Sequence, residues 1–336
     1  MLNTDDAYAP RTLVVVPTYN EEELIVRRLD NIFEQTYPKD RLSMIVADDG
    51  SDDRSRSLVT EWVRTHPDLE TTLTPQTVHS GKMPMFRALL NRIEPNIDLV
   101  VLTDVDAIWE RDAIANATRY MADPTVGSVT CSIQYVKNGN SGGESAYRNF
   151  YNVLRVCESK IFGTPVQNGP FLALRISSLR EYGLPDFAGI DDSAIGSFFA
   201  LAGLRAIQVD DVKVWEDFRG SLLRRKLRRA NRLILNFTNT KKCACRCGVY
   251  RRTAFEKIWK MEWWLHIVNP WLLIGGILLM AIGLVAGPNS SLCAFFLLLL
   301  GAGLILPAYR SWAIQQFYLI AARIRGLITK DITWRR

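Results

Sequence analysis

The chain has 336 residues, enough for one sizeable α/β domain and a smaller appendage. Its net charge of +6 is unevenly placed: Lys and Arg number 21 against 32 Asp and Glu from Met1 to Phe218, 14 against 2 from Arg219 to Glu262, and 6 against 1 from Trp263 to Arg336. The acidic first part argues against a nucleic-acid-binding class, and a basic belt beside an apolar segment points to anionic lipid headgroups.

Leu13-Val14-Val15-Val16 predicts a first strand, closed by Pro17-Thr18-Tyr19-Asn20. Glu21-Glu22-Glu23 suit a helix N-terminus, and Leu24, Ile25, Leu29, Ile32 and Phe33 recur at helical spacing. Met44–Ala47 predicts a second strand that ends in Asp48-Asp49-Gly50-Ser51, with Ser51 or Asp52 placed to cap a helix through Trp62. Asp98–Thr103 reads as the next strand and Ile108–Met121 as the next helix. Gly127–Gln134, Phe171–Ile176 and Ala206–Val209 read as later strands, and Ser193–Ala202 as a helix. This alternation predicts a doubly wound, mostly parallel sheet.

Acids gather at three strand ends, where open α/β sheets bind ligands. Asp104-Val105-Asp106 follows the aliphatic run Leu99–Leu102, and residues two apart on an extended chain point the same way. Two hard oxygen anions there suit Mg²⁺ or Mn²⁺ holding a diphosphate. Asp48 and Asp49 suit either nucleoside hydrogen bonding or turn chemistry. Asp191-Asp192 suits a helix cap, or a general base whose basicity a like-charged neighbour raises. Ser80-Gly81-Lys82 is too short for a phosphate loop, although Lys82 has the reach to touch a phosphate. His66 and His79 read as surface residues.

From Arg219 to Ile234, Leu222, Leu223, Leu227, Ala230, Leu233 and Ile234 fill one helical arc, and Arg224, Arg225, Arg228, Arg229 and Arg232 the other. This is an amphipathic helix suited to a membrane surface, and Arg229 with Arg232 could also neutralise a departing diphosphate. Trp263–Tyr309 contains no Asp, Glu, Lys or Arg. Its arms, Trp263–Ala286 and Leu292–Tyr309, flank Gly287–Ser291 and predict a transmembrane hairpin of two spans. Basic residues outside both arms place both ends, and the acidic domain, in the cytosol. The N-terminus has no signal-peptide pattern. Cys243, Cys245 and Cys247 lack zinc-site spacing and read as free thiols. The expected organisation is an α/β domain over 1–218, a basic interface segment over 219–262, the hairpin over 263–309 and a cytosolic amphipathic tail over 310–336.

Val16-Pro17-Thr18-Tyr19-Asn20-Glu21-Glu22, Asp48-Asp49-Gly50-Ser51, Asp104-Val105-Asp106 and Asp191-Asp192, in this order across residues 12–232, resemble a membrane-bound family-2 glycosyltransferase. The resemblance implies a GT-A fold, an inverting transfer from a UDP-linked or other nucleotide sugar, and a lipid-linked or glycan acceptor. By the same resemblance, Pro17, Tyr19, Glu21 and Asp49 would line the nucleoside pocket, Asp104 would contact donor, and Asp106 would hold the metal. Asn168 and Gly169 would line the acceptor subsite beside Asp191, and Asp192 would be the base. Arg229-Ala230-Asn231-Arg232-Leu233 is similar to the Gln/Arg-x-x-Arg-Trp motif of the polysaccharide-synthase branch. Leu233 replaces its tryptophan and Asp191-Asp192 its Glu-Asp pair. These departures favour a lipid-linked acceptor over processive synthesis of the hyaluronan or cellulose type. A membrane-anchored nucleotide-sugar binding module without turnover is the alternative from another class.

Overall fold

The computed structural model describes residues 2–134, 142–216, 222–287 and 290–328. The first half alternates β1 (Thr12–Thr18), α1 (Ile25–Phe33), β2 (Leu42–Asp48), α2 (Ser55–Thr65), β3 (Glu70–Pro75), α3 (Lys82–Leu90) and β4 (Leu99–Leu102). β1, β2, β3 and β4 pair in parallel, because each return passes through a helix that covers a sheet face. The chain then forms β5 (Ala107–Trp109), α4 (Ala113–Met121), β6 (Val126–Gln134), α5 (Gly142–Ile161), β7 (Leu172–Arg175) and α6 (Ile176–Tyr182). α7 (Asp192–Leu201) and β8 (Arg205–Glu216) complete one eight-stranded sheet, ordered β3-β2-β1-β4-β7-β6-β8-β5.

β7 runs antiparallel to β4 and β6, and β5 antiparallel to β8, so the parallel sheet is a mixed one in its second half. The helix predicted over Ile108–Met121 is shorter than expected: Ala107–Trp109 pairs with β8 instead, and the helix starts at Ala113. β8 extends to Glu216, beyond the short strand expected, because its pairing with β6 outweighs the polar Asp210-Asp211 step. The helix after β2 begins at Ser55 without a side-chain cap, so neither Ser51 nor Asp52 caps it. Val14, Val16 and Val101 pack under α1 and α4, while Val15, Val100 and Leu102 pack against α3 and α7.

α8 (Leu222–Arg246) continues twelve residues past the predicted amphipathic stretch, and residues 219–221 of that stretch lie outside the described residues. Ala230, Ile234 and Phe237 are buried, which fixes the apolar arc against the body. α9 (Phe255–Trp263), a π-helical segment at Trp264–Val268 and α10 (Asn269–Ala286) form a continuous rod. Pro270 lacks the N–H that would continue the α-helical ladder, so the backbone widens before it. Phe255–Val285 is, among the described residues, the one helix long and apolar enough to cross a membrane, with mean hydropathy 2.1 in its apolar window.

α11 (Ser290–Gly303) has 14 residues and spans about 21 Å, short of the ~30 Å apolar layer of a bilayer. Leu304, Ile305 and Leu306 then form turns, and Tyr309 belongs to α12 (Pro307–Ile328). The second arm of the predicted hairpin is thus divided between two helices. α12 returns to the body, where Leu319 and Ala322 pack on Ala230 and Ile234 of α8. A buried ion cluster pins the rod as well: Arg155 of α5 donates to Glu158 (2.8 and 2.9 Å) and to Glu262 of α9 (3.0 Å).

Candidate active site

Beyond the carboxyl ends of β1, β2 and β4 opens a cavity of about 1010 Å³. All thirteen residues expected at the site line it: Pro17, Tyr19, Glu21, Asp49, Lys82, Asp104, Asp106, Asn168, Gly169, Asp191, Asp192, Arg229 and Arg232. Several of them have partners from distant parts of the chain.

At one end Asn20 takes a left-handed backbone (φ 54°), which asparagine tolerates better than most residues. Its N–H donates to Ser51 Oγ (2.9 Å) and its Oδ1 accepts from the Asp52 N–H (3.0 Å), locking the end of β1 to the loop after β2. The two neighbouring aspartates part company here. Asp48 is buried against Arg56 (2.6 Å) and is structural. Asp49 accepts from the N–H groups of Ser80 (2.8 Å) and Gly81 (2.5 Å), from Ser80 Oγ (3.0 Å), and lies 2.8 Å from His79 Nδ1. It therefore shapes the pocket wall by holding the 79–81 loop. His79, read from sequence as a surface residue, stacks on Tyr19 with ring centroids 4.0 Å apart. A sequence carries no local signal for that pairing, because the two rings come from loops after different strands.

At the centre, Asp104 and Asp106 emerge beyond β4 as expected. Burial pushes the Asp106 carboxyl up to about 7, helped by the charges of Asp104, Glu216 and Glu21. Glu216, at the end of β8, is a fourth acidic strand end beyond the three expected, because β8 runs past the short strand predicted over Ala206–Val209. So much converging negative charge in hard oxygen donors fits Mg²⁺ or Mn²⁺. Among the described residues no three acidic, histidine or cysteine side chains could hold an ion by themselves, so a ligand diphosphate and water would complete the coordination.

Lys82, at the start of α3, reaches Asp104 Oδ1 (2.8 Å) and Asp192 Oδ1 (3.0 Å). Its ammonium bridges the two carboxylates. Asp191 caps α7, its Oδ1 accepting from the Ala194 N–H (3.0 Å), and Asp192 occupies the buried first turn. Burial and then Asp192 push the Asp191 carboxyl up to about 6, while Arg232 and the Ala194 N–H oppose the shift. Gly169 lies between Asp192 and Asp104: a Cβ there would sit 2.5 Å from Asp192 Oδ2 and 3.0 Å from Asp104 Oδ2. The Asn168 amide turns away from the cavity centre to the Cys131 carbonyl (2.8 Å) and Gln208 Oε1 (3.2 Å), so its side chain supports the wall. Cys243 is buried and accepts from the Asp186 N–H (3.3 Å), whereas Cys245 and Cys247 are exposed free thiols.

Stacked rings, carboxylates at the strand ends and the arginines of α8, all lining one cavity, fit an α/β group-transfer site for a nucleotide-linked substrate. The sequence profile described as "Glycosyltransferase like family 2" matches residues 10–235, and the chain belongs to that family: it is a glycosyltransferase. The mannosyltransferase PcManGT from Pyrobaculum calidifontis, solved with GDP-Man and Mn²⁺, is 38% identical, with 98% of this chain and 90% of that one covered and a TM-score of 0.82. S. aureus TarS, 15% identical with a TM-score of 0.52 over 92% of this chain and 54% of that one, shares the fold. Among curated relatives, the probable glycosyltransferase YdaM of Bacillus subtilis is 26% identical over 55% of this chain and 44% of its own length. The β-monoglucosyldiacylglycerol synthase of Synechocystis is 25% identical over 49% of this chain and 35% of its own length. The chain thus spans less than half the length of these two curated relatives.

Proposed function

We propose that the chain is a membrane-anchored, inverting mannosyltransferase that moves a sugar from GDP-mannose to a lipid-linked acceptor at the cytosolic face of a bilayer. The carrying observation is the single cavity that joins the Tyr19–His79 pair, Asp104 and Asp106, Asp192 and the arginine face of α8. The likeness to PcManGT across nearly the whole chain supports a guanine nucleotide and mannose in place of the UDP donor expected from sequence. The apolar rod supports a membrane-borne acceptor, because its π-helical segment brings His266 to the cavity wall.

In this reading Tyr19 and His79 form one wall of the nucleoside pocket, and Glu21 and Pro17 its rim. Asp104 and Asp106 would hold Mg²⁺ or Mn²⁺, whose positive charge would offset the charge that builds on the departing nucleotide. Arg229 and Arg232, which line the same cavity, offer charge-assisted hydrogen bonds to the donor's diphosphate. Asp192 accepts the proton of the attacking hydroxyl, and Lys82 fixes its direction. Attack from the face opposite the diphosphate inverts the anomeric centre.

The test is a nucleotide-sugar panel titrated by calorimetry into the full chain in detergent with Mn²⁺. GDP-mannose is expected to bind tightest, and preference for a UDP-sugar overturns the donor assignment. Asp106→Asn is expected to lose cation-dependent donor binding. Asp192→Asn should keep donor binding and lose ~10²–10⁴ in transfer rate; unchanged turnover removes Asp192 as the base. Products of high mass on a gel would favour processive synthesis.

A further inference from the structure

α1 carries an arginine that the mechanism leaves unused. Arg28 is fully buried beside Ile25, Leu29 and Ile32, the apolar face of the helix. Its guanidinium stacks 3.9 Å over the Trp109 ring. Nη2 donates to Thr103 Oγ1 (2.9 Å), and Nη1 donates to the Ala107 carbonyl (3.1 Å) and to Asn31 Oδ1 (2.6 Å). Thr103 immediately precedes Asp104, and Ala107 immediately follows Asp106. One side chain therefore grips the acidic turn at both shoulders.

The grip extends further. Thr103 Oγ1 donates to the Pro170 carbonyl (2.8 Å), and so does Trp109 Nε1 (2.8 Å). Pro170 follows Gly169, the residue that lies against Asp104 and Asp192. Asn31 closes the frame by exchanging two hydrogen bonds with the Trp109 backbone (2.8 and 2.9 Å).

Packing alone gives a poor account of this arginine. A fully buried cation without a direct counter-ion is costly, and an apolar side chain of similar length fills such a space without that cost. The groups that the Arg28 guanidinium touches, Asn31, the Ala107 carbonyl, Thr103 and the Trp109 ring, are all neutral. Burial holds its guanidinium down to about 9, and the charges that oppose this are those of Asp104 and Asp106. A buried charge is thus retained directly behind the two aspartates, in a hydrogen-bonded frame that fixes where their backbone runs.

We propose that Arg28 is a positioning residue of the cation-binding end of the site, setting the spacing of Asp104 and Asp106 and, through the Pro170 carbonyl, their distance from Gly169. This rests on the reading that those two aspartates hold the donor's metal. Groups that orient metal ligands commonly cost 10–100-fold in metal affinity when removed.

The experiment is calorimetry of GDP binding to the full chain in detergent, with Mn²⁺ and with EDTA, beside a thermal melt of each variant. Wild-type binding that ignores Mn²⁺ refutes the metal reading, and this role of Arg28 with it. Given cation dependence, Arg28→Met is expected to weaken Mn²⁺-dependent GDP binding at least 10-fold and to leave binding in EDTA within about twofold. Arg28→Lys, which keeps the charge and one donor direction, should recover part of the loss. Thr103→Val keeps the shape, removes the relay to Pro170 and is expected to cost roughly 3–10-fold in the Mn²⁺ arm. A folded Arg28→Met with a lower melting temperature and wild-type Mn²⁺-dependent binding makes Arg28 a core residue and overturns the proposal. Should Arg28→Met fail to fold, wild-type binding by Thr103→Val overturns it equally.

Discussion

Replacing Gly169 by alanine adds one methyl group at the tightest point of the site. The new Cβ would lie 2.5 Å from Asp192 Oδ2 and 3.0 Å from Asp104 Oδ2, where ordinary contact begins near 3.4 Å. Relief therefore needs a movement of about 0.9 Å at Asp192 and about 0.4 Å at Asp104. Gly169 is not among the positive-φ residues, so alanine adds no backbone strain and the effect is steric. Asp192 has little room to yield, being buried in the first turn of α7 and held by Lys82. A displacement of about 1 Å at a reacting group costs on the order of 10² in rate, and overpacking costs about 1–3 kcal/mol of stability. Gly169→Ala should thus fold, bind GDP-mannose with a modest loss of affinity, and lose about 10² in kcat. Single-turnover nucleotide release with purified chain in detergent measures the rate, and calorimetry the affinity. A kcat within threefold of wild type would refute the claim that Gly169 sets the approach of the two carboxylates.

Lys82→Met leaves Asp104 and Asp192 without their shared cation, and is expected to destabilise the protein by about 3–5 kcal/mol, seen as a lower melting temperature; Lys82→Arg should recover part of it. Asp191 makes stability depend on pH with a definite sign. Its folded carboxyl, raised to about 6, keeps a proton that the unfolded chain releases near its ordinary value of 3.8, so stability falls as pH rises between them. The effect is on the order of 1–3 kcal/mol, and Asp191→Asn, which retains the cap but cannot titrate, should flatten the melting profile from pH 4 to pH 6. Tyr19→Ala and His79→Ala each remove one face of the stacked pair and should weaken GDP binding about 2–13-fold, equal effects in the double variant marking the pair as one unit. Leu319→Arg puts a charge into the seam between α12 and α8 and should expose α12 to limited proteolysis before the sheet opens.

Much of the site was legible because its parts lie at strand ends. A β-branched run followed by acids marks both a buried strand and the place where its ligands emerge, which located Asp49, Asp104 and Asp106. Asp191-Asp192 before a helix was legible in the same way, down to the possibility of a cap. The division of labour within each pair was not. Asp48 is consumed by Arg56 and Asp49 by the 79–81 loop, partners that a reading of neighbours along the chain does not supply. Lys82 meets carboxylates 22 and 110 residues away, and Arg28 meets Thr103 from 75 residues away.

The strand–helix alternation of the first half, three acidic strand ends, the arginine face of α8 and the apolar rod were legible in the sequence, because each is a local pattern of side-chain chemistry. Tertiary structure alone decided which carboxylate is structural and which faces the cavity. It stacked His79 on Tyr19 and set Lys82 between Asp104 and Asp192. It also divided the second apolar arm between two helices. The physical reason is the same throughout: a charge or a ring takes its role from the groups that replace its water, and those groups arrive from distant parts of the chain.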